Sequence, residues 1–144
     1  MSVEENKEVV RRFFSEFANQ RNFSAADELV SEDFVMHIAS GVDLKGVEVA
    51  KKAYSALSNS FPDISYTIED MVAEGDKVAF RVTIKGTHMQ TFGNLAPTNK
   101  TFNISRFVIM KFNKNKFYEG WALDDNLSRY QQLGALSPTE EIGK

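Results

Sequence analysis

The sequence predicts an α+β domain, with helices packed on one face of a curved antiparallel sheet. Two observations carry this. Up to about residue 60, apolar residues recur at three- and four-residue steps, and from Ile64 onward they alternate. Two turn sequences, Glu74-Gly75-Asp76 and "NKNK" at 113–116, each lie between alternating runs, as in hairpins.

The elements follow in order. Over about residues 3–20, Val9, Val10, Phe13, Phe14 and Phe17 share a helical face, with Glu4, Lys7, Arg11 and Arg12 largely opposite. Ser24 reads as the N-cap of a short helix holding Ala25, Ala26, Leu29 and Val30. "DFVMHIAS" at 33–40 reads as a strand, with Phe34, Met36 and Ile38 on one face and Val35 and His37 on the other. Gly46 opens a third helix, on which Val47, Ala50, Tyr54 and Leu57 form a stripe. Pro62 stops it by disfavouring helix in the residue before. The first hairpin covers "ISYTIEDMVAEGDKVAFRVTIKGTH", where Val78, Phe80, Val82, Ile84 and His88 alternate. "MQTFGNLAPTNK" is a loop, and "TFNISRFVIMKF" and "KFYEGWALD" form the second hairpin. A short helix from Asn126 closes one domain over residues 1–136, leaving a loose tail at 137–144.

The composition narrows the function classes. A chain of 144 residues with net charge −3 buries about 70% of its unfolded surface, enough for a core and one pocket. There is no basic stripe, so neither nucleic acid nor a membrane surface is an expected partner. No apolar run reaches ~18 residues, and "MSVEENKEVV" has no apolar signal region. The absence of cysteine excludes disulfides and thiolate chemistry and fits a reducing, cytoplasmic setting. Two histidines far apart give no zinc spacing, and no glycine-rich phosphate loop is present, so neither metal nor nucleotide cofactor is expected.

Three stretches together resemble the SnoaL-like polyketide cyclase family of the nuclear-transport-factor-2-like superfamily. They are "FPDISYTIED" at 61–70, "GTHMQTFGNLAPTNK" at 86–100 and "WALDDNLSRYQQLG" at 121–134, and the likeness spans roughly residues 3–136. The resemblance implies a cone-shaped, strongly curved sheet enclosing a hydrophobic cavity with three N-terminal helices. It also implies cofactor-free polyketide or ester cyclase chemistry, an intramolecular aldol closure in which an aspartate removes a proton from carbon. By its place four residues after the tryptophan, that aspartate matches Asp125. Asn94, Ala96, Ser128 and Arg129 depart from the family pattern, which bears on substrate identity.

Each candidate residue has two readings. Counted in twos from Phe117, Glu119, Trp121, Leu123 and Asp125 share one strand face, and Asp124 lies opposite with Gly120 and Ala122. Asp125 is then either a base facing the cavity or the N-cap of the last helix. His37 and His88 are candidate oxyanion donors, or histidines that satisfy backbone groups. Arg106, among apolar neighbours, pairs either with a ligand carbonyl or carboxylate or with Glu119 on the adjoining strand. Trp121 is core or cavity wall, and Tyr54 is placed to bring its hydroxyl into the cavity. Twelve phenylalanines provide walls for a small hydrophobic or aromatic ligand. Three functions are compatible: a cyclase- or isomerase-type enzyme, a non-catalytic ligand-binding protein, or an interaction module. The apolar set Phe107, Ile109 and Tyr118, on the face opposite the tryptophan, predicts a homodimer formed through the outer sheet.

Overall fold

The computed structural model describes residues 2–38 and 41–137. Ser2 starts the first helix through a capping box. Its hydroxyl accepts the Glu5 N–H at 3.1 Å, and Glu5 accepts the Ser2 N–H at 3.2 Å. Helix α1 (Val3–Arg12) then runs into a π-helical segment, Phe13–Asn19. The wider turn brings Phe13, Phe14 and Phe17 into the core together. Helix α2 (Ala26–Leu29) follows a short 3₁₀ turn, Phe23–Ala25. Ser24 lies inside that turn and donates to Asn22 Oδ1, so it is not the cap expected from sequence.

Strand β1 (Val30–Ile38) begins three residues before the expected run, of which 39 and 40 lie outside the described residues. It pairs with a four-residue strand, β2 (Val42–Lys45), too short and too polar to read from sequence. Gly46, at φ +88°, turns the chain into helix α3 (Val47–Ser60), a backbone conformation that favours glycine. The two expected hairpins follow as β3 (Ser65–Glu74) with β4 (Lys77–Thr87), and β5 (Thr101–Asn113) with β6 (Lys116–Asp124). In the second turn Lys114 and Asn115 both have positive φ, which matches the right-handed twist of the strands. Helix α4 (Asn126–Gln132) closes the fold. Of the tail expected at 137–144, only Ser137 is among the described residues.

The sheet is curved and open, in the order β2-β1-β6-β5-β4-β3. Four of its five pairings are antiparallel. The fifth joins β1 to β6 in parallel, Met36 beside Gly120, and ties the first strand to the last. The helices cover one face. On β4 the buried side chains alternate as expected: Val78, Phe80, Val82 and Ile84.

On β6 the alternation breaks. Phe112 pairs with Phe117, but Lys111 pairs with Glu119, so Tyr118 is an extra residue in a β-bulge. The bulge exchanges the two faces of everything after it. Phe117 points inward before it; Gly120, Ala122 and Asp124 point inward after it. Trp121 and Leu123 therefore face outward, 41% and 60% exposed. The face count that grouped Phe117 with Trp121 and Asp125 is corrected by this one inserted residue. Replacing Phe117 with alanine is expected to cost about 3–5 kcal/mol of stability, because its ring packs on Phe13, Phe34 and Phe112. Trp121→Ala is expected to cost about 1 kcal/mol or less; urea denaturation of both variants checks the assignment.

Candidate functional site

Between the covered face of the sheet and α1, the π-helical segment and α3 lies a cavity of about 270 Å³. That is near the lower bound of ligand pockets, ~300 Å³, so it suits a molecule of one or two rings. Phe13, Phe14, Phe34 and Phe117 supply aromatic walls, and Met36, Leu57, Val108 and Met110 aliphatic ones. The π-helical turn is what allows consecutive residues, Phe13 and Phe14, to line it together.

The polar groups gather at one end: Tyr54, Arg106, Asp124 and Asn126. Arg106 and Asp124 are direct partners across β5 and β6. Arg106 donates from Nε to Asp124 Oδ1 at 2.6 Å and from Nη2 to Oδ2 at 3.1 Å, a bidentate pair. Its Nη1 donates to the Tyr54 hydroxyl oxygen at 2.7 Å. The Tyr54 oxygen accepts that bond, so its own proton remains free to donate. The guanidinium also lies over the rings of Tyr54 and Tyr66, at 5.7 and 5.9 Å. Arg129, from α4, approaches Asp124 Oδ2 at 3.7 Å.

These contacts set the protonation states. Burial pushes the Asp124 carboxyl up, but Arg106 and then Arg129 outweigh it and hold it below the usual carboxylate range. Burial raises the Tyr54 phenol, with Arg106 opposing. It raises the Tyr66 phenol too, whose buried hydroxyl has no hydrogen-bond partner among the described residues. The site at neutral pH therefore holds one carboxylate, two guanidinium groups and neutral phenols.

Tyr54 and Arg106 meet in the cavity; the other sequence candidates lie elsewhere. Asp125 is the N-cap of α4, its Oδ1 accepting the Ser128 N–H at 3.1 Å, and it is exposed. The two aspartates thus hold the reverse of the expected placements, because of the bulge at Tyr118. Arg106 pairs with Asp124 and not with Glu119, which sits opposite Lys111 in the register. His37 lies on the outer side of β1. Its ring nitrogens contact Asp43 and Glu119, both at 2.8 Å, and its ring stacks on Trp121. Glu119, then Asp43, raise its pKa. His88 is fully buried outside the cavity lining, with Nδ1 accepting the Thr98 N–H at 3.2 Å. Trp121 lines the outer face.

That outer face carries a larger concavity, about 630 Å³, but it is a shallow, open sheet surface. Its polar side chains are already paired, Arg81 with Asp70 at 2.7 Å and His37 with its two carboxylates. The enclosed cavity, lined by Tyr54, Arg106 and Asp124, is the better candidate. Sequence reasoning missed Tyr66 as a neighbour of the polar end and took Arg129 only as a departure from the family. The spacing of Arg129 from Leu133, i to i+4 on one helix face, is the signal that marks it as buried.

Asp124→Asn is expected to lower stability by about 3 kcal/mol or more, since it leaves two buried guanidinium groups without an anion. Asp125→Asn is expected to change stability by less than about 0.5 kcal/mol, because asparagine caps as well. The folded-state pKa of Asp124 is depressed, so its contribution is present above the unfolded value, 3.8. It is lost as pH falls through the folded-state value; denaturation series at neutral and acid pH check both points.

The family model for SnoaL-like polyketide cyclase matches residues 8–133. No curated protein matches the chain by sequence. Among solved structures, the chain is similar to IdmH of Streptomyces antibioticus, a candidate polyketide cyclase, at 25% identity and TM-score 0.80, covering 90% of this chain and 98% of that one. A candidate polyketide cyclase of Bacillus cereus ATCC 10987 is 28% identical with TM-score 0.78, over 92% of this chain and 83% of that one. One from Acidithiobacillus ferrooxidans is 27% identical with TM-score 0.79, over 93% and 98%. With most of its length matched in sequence and fold, the chain belongs to the SnoaL-like polyketide cyclase family.

Proposed function

We propose that the protein catalyses cofactor-free carbon-acid chemistry, an intramolecular aldol closure or isomerisation, on a small and largely apolar carbonyl compound. The observation that supports this is the polar end of the cavity. Asp124 is the one carboxylate among the described lining residues, and it sits beside the free Tyr54 O–H and the unused N–H groups of Arg106. Asp124 removes a proton from carbon, and the electron pair moves onto the carbonyl oxygen. Tyr54 and Arg106 donate to the enolate oxygen. The enolate carbon then attacks a second carbonyl carbon of the same molecule, and the new alkoxide takes the proton back from Asp124. Atoms balance without another reactant. Asp125, His37 and His88 fall outside this scheme on geometry.

One observation favours a second reading, ligand binding without chemistry: the bidentate hold of Arg106 makes Asp124 a weak base. The two separate experimentally. Proton NMR in D₂O follows exchange at the carbon next to the carbonyl of 2-tetralone and related one- and two-ring ketones. Exchange faster than buffer, reduced by at least ~10²-fold in Asp124→Asn, is the result expected of the enzyme. Binding of these ketones with exchange no faster than buffer moves the function to the second reading.

We also propose that two copies pair through the outer sheet face. Val72, Phe107, Ile109, Trp121 and Leu123 are all exposed there, and the neighbouring charges neutralise one another. Sedimentation at micromolar concentration is expected to give about twice the 16.3 kDa chain mass, and Phe107→Glu to give the monomer. A monomer for the unaltered chain would contradict this.

A further inference from the structure

Arg129 takes no part in the chemistry proposed above, yet it is only 3% exposed. Its Nη1 donates to Asn126 Oδ1 at 2.7 Å, while Nε and Nη2 have no hydrogen-bond partner among the described residues. The guanidinium packs over Phe102 at 4.9 Å and Phe92 at 5.7 Å. Nη2 lies 3.7 Å from Asp124 Oδ2, too far for a hydrogen bond but close enough for attraction. Both Asp124 oxygens are already engaged by Arg106. Two buried cations therefore share one carboxylate.

Among the described residues, no further carboxylate balances the excess. Tyr54 and Tyr66 are kept neutral by burial. No other carboxylate lines the cavity among the described residues. An uncompensated buried charge is costly. The cost registers on Arg129 itself, whose pKa is pulled down by burial, partly restored by Asp124, and lowered again by Arg106. The cation nonetheless persists at neutral pH. Donors for a counter-ion are also present. Arg106 uses three of its five N–H groups in these contacts, and the Tyr54 proton is free.

We infer that the cavity takes an anion: a small, mostly apolar molecule bearing a carboxylate, held by Arg106 and Tyr54, with Arg129 setting the preference for the acid over its neutral ester. This rests on the enclosed cavity being the ligand site. Arg129 acts through the field it adds behind Asp124 and does not touch the ligand, so it is a positioning residue. The chain carries net charge −3, so nothing in its overall balance attracts anions. A preference for them would come from the buried excess.

Calorimetric titration with 2-naphthoate and with its methyl ester at neutral pH tests this. The acid is expected to bind the unaltered protein at least about tenfold tighter. The preference should persist at about 0.5 M salt, because buried charges are screened little. Arg129→Lys keeps the charge and is expected to keep the preference. Arg129→Met is expected to bring acid and ester within about threefold of each other. Equal or tighter binding of the ester by the unaltered protein, or binding of neither, overturns the inference without any variant. A preference undiminished in Arg129→Met overturns the role of Arg129. Acid preference without ketone exchange would sink the chemistry proposed above and leave this inference standing; ketone exchange without acid preference would do the opposite.

Discussion

The site depends on one interaction, the bidentate ion pair of Arg106 and Asp124 across β5 and β6. Taking two such charges out of water is expensive, and their attraction repays it only with good geometry and further hydrogen bonds. The register places the two residues directly opposite, and Tyr54 accepts a third bond from α3. The pair thus links both strands of the second hairpin to a helix on the far side of the cavity. It also decides which carboxylate is inside and keeps that carboxylate ionised.

The bulge at Tyr118 makes the pair possible. Were Tyr118 paired in regular register with Lys111, Leu123 would stand opposite Arg106 and Asp124 would face the outside. Bulges bend strands and re-aim side chains, and here one does so next to the cavity. The same inversion brings Trp121 outward, where it stacks on His37 and joins Phe107, Ile109 and Leu123. The face thereby gains apolar area while the cavity gains its only carboxylate among the described lining residues.

This explains what the sequence made legible. The helices, both hairpins and their turns follow from apolar spacing and from Gly75, Lys114 and Asn115, because periodicity reports local geometry. Tyr54 and Arg106 were legible as polar residues on apolar stripes. The roles of Asp124 and Asp125 were not, since a count in twos has no means of sensing one inserted residue. The parallel pairing of β1 with β6 was hidden as well, because it joins segments some eighty residues apart. Arg129 was hidden by convention: a charge in a short terminal helix is usually taken as solvated, and only its spacing from Leu133 argues otherwise.

A double-mutant cycle on Arg106 and Asp124 tests the central claim most directly. Arg106→Met, Asp124→Leu and the double variant would be compared by chemical denaturation at neutral pH. Asp124→Leu should cost about 3–5 kcal/mol, because it leaves Arg106 and Arg129 without an anion, and Arg106→Met about 2 kcal/mol or more, because Asp124 keeps only the more distant Arg129. The double variant should cost less than the sum of the two, with a coupling of at least about 2 kcal/mol, although Arg129 then lacks its carboxylate. Single changes that each cost less than about 1 kcal/mol and simply add would contradict the account, since they would mean that the two charges do not meet in a buried site.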